Sequence, residues 1–248
     1  MTDQPLEVPA TLGQDAHRAD AIGMSSPDRS PGLRGLSELL GFFVLHVAVW
    51  IGLMRPLAGE DFVDYVDLGS ADTPWVRQFI VGLLVVLLLQ VMYISQRRCW
   101  KPLLTDETPL RAWWVFLLIG LVAFAGAGRF AADGLSAAPS GWWVGFTVTM
   151  LLVGVTEEIT FRGILLVGGR QLLGTETRAL LFSSALFGLF HLPNALIGQS
   201  LGASVVQVFA TAIIGSVLYL VRRSSRSLLV AALFHAAYDW ALLQGAFS

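Results

Sequence analysis

Lysine is almost missing from this chain: Lys101 is the only one among 16 basic residues, and with 18 Asp and Glu the formal net charge is −2. That balance, with a pI near 6.1, offers no basic surface of the kind that nucleic acid requires. A single lysine placed in a loop also excludes a seven-helix retinal photoreceptor, which needs an intramembrane lysine for its Schiff base. Cysteine is equally scarce, and the lone Cys99 excludes an internal disulfide framework. Charge of either sign is thin, at 14% of residues against 55% hydrophobic. A mean hydropathy of +0.67 over the 248 residues is that of an integral membrane protein.

Apolar stretches near the ~20 residues that cross a bilayer as helix recur along the chain. Their positions predict an all-α, polytopic membrane helix bundle of about seven spans, at roughly 36–54, 75–95, 111–131, 141–168, 178–193, 201–221 and 227–246. Residues 1–33 carry Pro5, Pro9, Pro27 and Pro31 among scattered polar residues without apolar periodicity, which reads as a disordered cytoplasmic tail. No signal peptide is expected, because the first apolar run begins late and lacks a cleavage pattern. The remainder divides into accessory spans one to three, residues 34–140, and a core of spans four to seven, residues 141–248.

Loop charge predicts orientation, since basic residues near span ends stay on the cytoplasmic side. Arg29 and Arg34 precede span one, Arg97, Arg98, Lys101 and Arg111 follow span two, Arg170 and Arg178 follow span four, and Arg222, Arg223 and Arg226 follow span six. The alternate loops carry the acidic stretch GEDFVDYVDLGSAD and the uncharged PNALIGQS. The N-terminus is therefore expected inside. Trp75, Trp113, Trp114, Trp142 and Trp143 fall at span ends, where indole anchors to the headgroup region.

Within span four lies VTEEITFRG, residues 155–163. A charged side chain at mid-bilayer costs about 2.5–3.5 kcal/mol, so Glu157, Glu158 and Arg162 must face a protein or water-filled interior. Glu158 and Arg162 are four apart with the glutamate N-terminal, the favourable arrangement for an ion pair on one helix face. Glu157 is rotated by about 100° from its neighbour and cannot share that partner equally. A freer carboxylate in a low-dielectric pocket suits proton transfer as general base or acid.

Two further spans carry matching features. In FGLFHLPN, Phe187 and His191 share a face, and Pro193 ends the helix so that Asn194 falls in irregular backbone. In FHAAYD, His235 and Asp239 share a face at spacing four. At ~1.5 Å per residue, Glu157, His191 and His235 lie roughly 17, 20 and 12 Å from the cytoplasmic ends of their helices, which brings them to similar depth. His46 in span one has no polar companion three or four residues away and reads as a helix-to-helix hydrogen bond.

TEEITFR fits the EExxxR motif, FGLFH fits FxxxH and HAAYD fits HxxxN/D, in the order found in the CAAX prenyl endopeptidase and bacteriocin-processing (CPBP, or Abi) intramembrane proteases, which the chain resembles from about 141 to 246. HExxH and GxSxG are both absent. The resemblance implies a helical bundle whose polar residues line a cavity in the membrane, and hydrolysis of a peptide or membrane protein by water, without an acyl-enzyme. It implies that Glu157 activates water with His191, that His235 and Asp239 polarise the scissile carbonyl, and that Glu158 and Arg162 hold the site together. One departure bears on the chemistry: many members have Asn where this chain has Asp239, and a carboxylate donates a hydrogen bond only when protonated. Either a protonated Asp239 or one paired with a protonated His235 is required.

Two histidines and a glutamate could also supply the three ligands of a catalytic zinc, with Glu157, His191 and His235 as the set and Asp239 as a fourth or outer group. The residues are compatible with metal-dependent and with glutamate-dependent hydrolysis. A non-catalytic scaffold or bacteriocin self-immunity protein on the same fold is the alternative, since fold alone does not imply activity. A transporter is disfavoured, as neither an internal repeat nor a second polar path through spans one to three is present. The family and composition place the chain in a bacterial plasma membrane.

Overall fold

The computed structural model describes residues 33–68, 73–107, 109, 110, 112–129 and 140–243. The N-terminal tail, Arg111 and the expected ends of spans three and seven beyond 129 and 243 lie outside the described residues. Nine α-helices are described: α1 (Leu33–Ala58), α2 (Val81–Arg97), α3 (Trp100–Leu104), α4 (Trp114–Arg129), α5 (Ser140–Glu158), α6 (Leu166–Leu173), α7 (Glu176–Leu189), α8 (Leu201–Ser225) and α9 (Leu228–Leu243). No strand occurs among the described residues, so the all-α expectation holds.

Among the described residues, four helical stretches are long and apolar enough to cross a membrane: Gly35–Asp61, Val76–Arg97, Glu176–Leu196 and Leu201–Ser225. Trp114–Gly128 and Leu228–Leu243 are shorter apolar helices. The region expected as one long fourth span is a continuous helical run in which a π-helical segment, Ile159–Leu165, separates α5 from α6. The protein is thus a multi-pass membrane helix bundle. Local sequence marks the helix ends: Thr175 and Ser200 cap α7 and α8 by accepting hydrogen bonds from the Arg178 and Ala203 amides, and Gly174 closes α6 in the left-handed region at φ 71°.

The bundle encloses a set of polar side chains within an apolar core and turns an apolar surface outward. Leu201, Val205, Phe209 and Ile213 form an exposed stripe along α8 at helical spacing, while Gln78, Gln90, Thr156, Glu158, Thr160 and Arg162 are buried. Such a surface is matched to lipid. The tryptophans split between two environments. Trp113 is 71% exposed, in keeping with an interfacial anchor, but Trp75 and Trp142 are 4% and 6% exposed. These two are packed edge to face at 5.3 Å with Phe79 and Phe146 around them, so the anchor expected at each is corrected to an internal aromatic cluster. Edge-to-face contact between the rings stabilises that cluster.

Contact between α5 and α9 positions the site. A Cβ at Gly154 would lie 2.5 Å from the Ala232 carbonyl oxygen and 2.9 Å from the Ala236 amide nitrogen, so glycine lets the two backbones touch. That close approach places the turn after Gly154, with Glu157 and Glu158, directly against His235 one turn beyond Ala232.

Between α2 and α4, Asp106 ties helix ends together by charge. Asp106, 1% exposed, faces Arg170 at 2.7 Å, Arg223 at 3.7 Å and Arg222 at 3.8 Å. Arg170 also pairs with Glu176 at 2.7 Å. Burial works against the Arg170 cation, yet the hydrogen bonds it donates to Glu176 and Asp106 outweigh it and raise its pKa above the usual value. Arginines that the loop-charge pattern counts toward orientation therefore also staple helix ends together.

Candidate active site

The π-helical segment begins immediately after Glu158. A π turn widens the helix and frees backbone groups, a device frequent at functional sites. Those groups find partners here: Gln90 Nε2 donates to the Thr156 carbonyl at 2.6 Å and to Thr160 Oγ1 at 2.8 Å, and Ser183 Oγ donates to the Phe161 carbonyl at 2.7 Å. His46 Nδ1 meets Thr160 Oγ1 at 2.9 Å, the helix-to-helix hydrogen bond expected of it. Gln90, Ser183 and Thr160 were not picked out in the sequence, where an amide or hydroxyl in an apolar run carries little signal by itself. Ser184 meets Ser216 at 3.3 Å, so both serines nearest the site are engaged in helix packing.

Glu158 and Arg162 form the ion pair read from their spacing, at 2.7 Å and with side chains 0% and 1% exposed. Arg162 Nη2 donates to the Gly215 carbonyl at 3.0 Å, and its guanidinium lies 4.2 Å from the Phe187 ring centroid. A Cβ at Gly215 would approach Arg162 Nη2 to 3.2 Å, so α8 leaves room for the guanidinium there. Cation–π contact and two hydrogen bonds share the task of holding one buried cation.

His235 is the hub. Its Nδ1 is 3.1 Å from Glu158 Oε1, and its Nε2 is 3.3 Å from Asp239 Oδ2 and 3.8 Å from Glu157 Oε2. Ionised carboxylates only accept, so both ring nitrogens can be satisfied only as N–H donors, the imidazolium form. Glu157 is 5% exposed and its Oε2 has no hydrogen-bond partner. His191 is only partly buried, past the last residue of α7, and its Nδ1 meets the Phe187 carbonyl at 2.9 Å. A carbonyl only accepts, so Nδ1 carries a proton in that bond, and Nε2 is the ring nitrogen it does not engage. Phe187 stands between the two imidazoles, edge to face with His191 at 5.1 Å and with His235 at 5.5 Å.

Of the six residues singled out in the sequence, five are therefore linked by direct contact: Glu157, Glu158, Arg162, His235 and Asp239. His191 joins them through Phe187. Glu158 does more than the sequence suggested, since it holds His235 as well as Arg162. Burial falls from Glu158 and Arg162 toward Asp239, at 20% side-chain exposure, so the arrangement is deepest at the ion pair. As a metal centre the set does not fit. Among the described residues no group of three or more His, Cys, Asp or Glu side chains is arranged to hold a metal ion, and an imidazole with both nitrogens directed at carboxylates has no lone pair to give.

Carboxylates, histidines and a buried arginine that converge inside a membrane helix bundle mark a candidate functional site. Residues 139–241 match the family model of the Rce1-like type II CAAX prenyl endopeptidases. The matched stretch contains all six residues above. No curated protein and no solved structure matches the chain.

Proposed function

We propose that the protein is an intramembrane endopeptidase that hydrolyses a peptide bond of a membrane-associated peptide or protein, with water activated by Glu157 and His191. The observation that carries this reading is the buried, unpartnered Oε2 of Glu157 beside the imidazolium of His235. An orphaned carboxylate oxygen in a dry interior calls for a partner, and water supplies one. His191 Nε2 accepts a hydrogen bond from that water and orients it. Glu157 takes its proton as the water oxygen bonds to the scissile carbonyl carbon. His235 Nε2–H is held only loosely by Asp239 at 3.3 Å, longer than the ~2.7–2.9 Å of a firm charge-assisted bond. It is thereby available to the carbonyl oxygen as negative charge develops there. Glu157 then passes its proton to the amide nitrogen, the C–N bond breaks, and a carboxylate and an amine leave. Glu158 and Arg162 keep His235 charged and in place.

In this reading spans four to seven, residues 141–248, form the catalytic core and residues 34–140 the accessory part, in a seven-span protein with a cytoplasmic N-terminus in a bacterial plasma membrane. The lipid-matched exterior and the match to the prenyl endopeptidase model support a membrane-associated substrate. The test is cleavage of fluorogenic membrane-anchored peptides by purified protein in liposomes. Glu157→Ala and His191→Ala are expected to abolish turnover, and full cleavage by Glu157→Ala would overturn the mechanism.

A further inference from the structure

Glu158 is tied down by two cations, but the Glu157 carboxylate is not: its Oε2 has no hydrogen-bond partner, and His235 stands off at 3.8 Å. A side chain without a tether of its own is aimed by the backbone that carries it. That backbone runs directly into the π segment, Ile159–Leu165, where the hydrogen-bond ladder changes register. What fixes it comes from other helices.

Gln90, on α2, is 0% exposed and directs both hydrogens of Nε2 at this turn, one to the Thr156 carbonyl at 2.6 Å and one to Thr160 Oγ1 at 2.8 Å. These two acceptors bracket the glutamates. The Thr156 carbonyl belongs to the same planar peptide unit as the Glu157 amide nitrogen, so a bond to it fixes the plane from which the Glu157 Cα departs. Thr160 lies just beyond Glu158, so one carboxamide spans the pair. The second anchor is itself held, because Thr160 Oγ1 also meets His46 Nδ1 of α1 at 2.9 Å, in a buried contact. Helices α1 and α2 thus grip the backbone beside Glu157 from outside residues 139–241, the stretch that matches the family model.

Packing alone does not call for an amide at this position. Oε1 of Gln90 is buried and has no hydrogen-bond partner among the described residues, and methionine would fill similar space without stranding an acceptor. A local rule broken beside a reactive group is the mark of a functional constraint. We propose that Gln90 is a positioning residue of the active site, which through the Thr156 carbonyl and the Thr160 hydroxyl fixes the backbone on both sides of the two glutamates and so sets where the Glu157 carboxylate points. The proposal rests on the hydrolytic reading above. Gln90 exchanges no proton and acts only through the backbone that carries Glu157.

The experiment is steady-state hydrolysis of a fluorogenic membrane-anchored peptide by the full-length protein in liposomes. It compares the unsubstituted protein with Gln90→Met, Glu157→Asp, the double variant of these two, and Glu157→Gln. Methionine keeps the length of the side chain and removes both donors. Gln90→Met is expected to lower kcat by about 10–100-fold while KM changes by less than about threefold, as for a reacting group displaced by up to about 1 Å. In Glu157→Asp the carboxylate is already withdrawn by one methylene, so adding Gln90→Met there is expected to cost less than about threefold further. A role in folding alone would lower both backgrounds by the same factor. Thr160→Val keeps the shape of the π segment, removes only the hydroxyl anchor, and is read by the same criteria if Gln90→Met does not fold. Unchanged kcat in Gln90→Met, or equal losses in the two backgrounds, overturns the positioning role while Glu157→Gln remains inactive. Undiminished cleavage by Glu157→Gln overturns the hydrolytic reading itself and this proposal with it.

Discussion

Glu158 uses a single oxygen to hold two cations: Oε1 lies 2.7 Å from Arg162 Nη1 and 3.1 Å from His235 Nδ1. All three side chains are at most 3% exposed, so none can turn to water if a partner is removed. Arg162→Met alone leaves Glu158 short of a cation, and Glu158→Gln alone leaves Arg162 short of an anion. Each is expected to destabilise by about 3–5 kcal/mol, whereas the double variant costs less than the sum, because it removes the charges together. Thermal unfolding of the four proteins in one detergent measures the coupling. Additive losses would show that the pair does not act as a unit.

Glu157 should behave in the opposite way. Its Oε2 has no hydrogen-bond partner and its nearest cation contact is the 3.8 Å approach to His235, so neutralising it removes little that holds the bundle together. Glu157→Gln is expected to lose about 10²–10⁴-fold in turnover, the range for a positioned general base, with unfolding temperature equal to or above that of the unsubstituted protein. A variant that unfolds early, or one that still turns over, would reverse the division of labour between the adjacent glutamates.

That division was only partly legible in the residues. Helical spacing was enough to pair Glu158 with Arg162, since an i, i+4 contact is local and needs no knowledge of the fold. The approach of span four to span seven was legible as depth, and the 3.1–3.8 Å contacts of His235 bear it out. What could not be read was the π segment after Glu158, because one extra residue in a turn leaves no mark in an apolar pattern. Gln90 and Ser183 were missed for the same reason: their partners are backbone carbonyls on other helices. The tryptophans misled, because composition alone cannot separate an indole at the headgroups from one packed into the aromatic cluster of Trp75 and Trp142. The Asp106 cluster escaped notice because its arginines stand on α6 and α8, far from Asp106 along the chain.

Metal dependence follows from donor geometry. Glu157, His191 and His235 were the natural zinc set, yet His235 directs both nitrogens at carboxylates and His191 commits Nδ1 to a carbonyl. Exhaustive chelation, verified by elemental analysis, is therefore expected to leave the cleavage rate within about twofold. A loss of the ~10–100-fold that disturbed metal sites show, restored by zinc, would require His235 to release both carboxylates and turn.

Gly154 offers the sharpest test of how the fold serves the site, because it carries no functional group. Alanine there would put a methyl group 2.5 Å from the Ala232 carbonyl oxygen, a backbone atom in the middle of α9 that cannot move without its helix. The two helices must separate, and Glu157 and Glu158 sit one turn along from the wedge while His235 sits one turn along from its target. Overpacking of this kind costs about 1–3 kcal/mol. A misplacement near 1 Å can cost about 10²-fold in rate, so Gly154→Ala is expected to lose far more turnover than stability. Circular dichroism and unfolding temperature, measured beside kcat on the same preparation, separate the two effects. Equal losses in both would mean that the α5–α9 contact serves the bundle as a whole, whereas intact stability with turnover reduced by two orders of magnitude would mean that this contact sets the distance between the glutamates and His235.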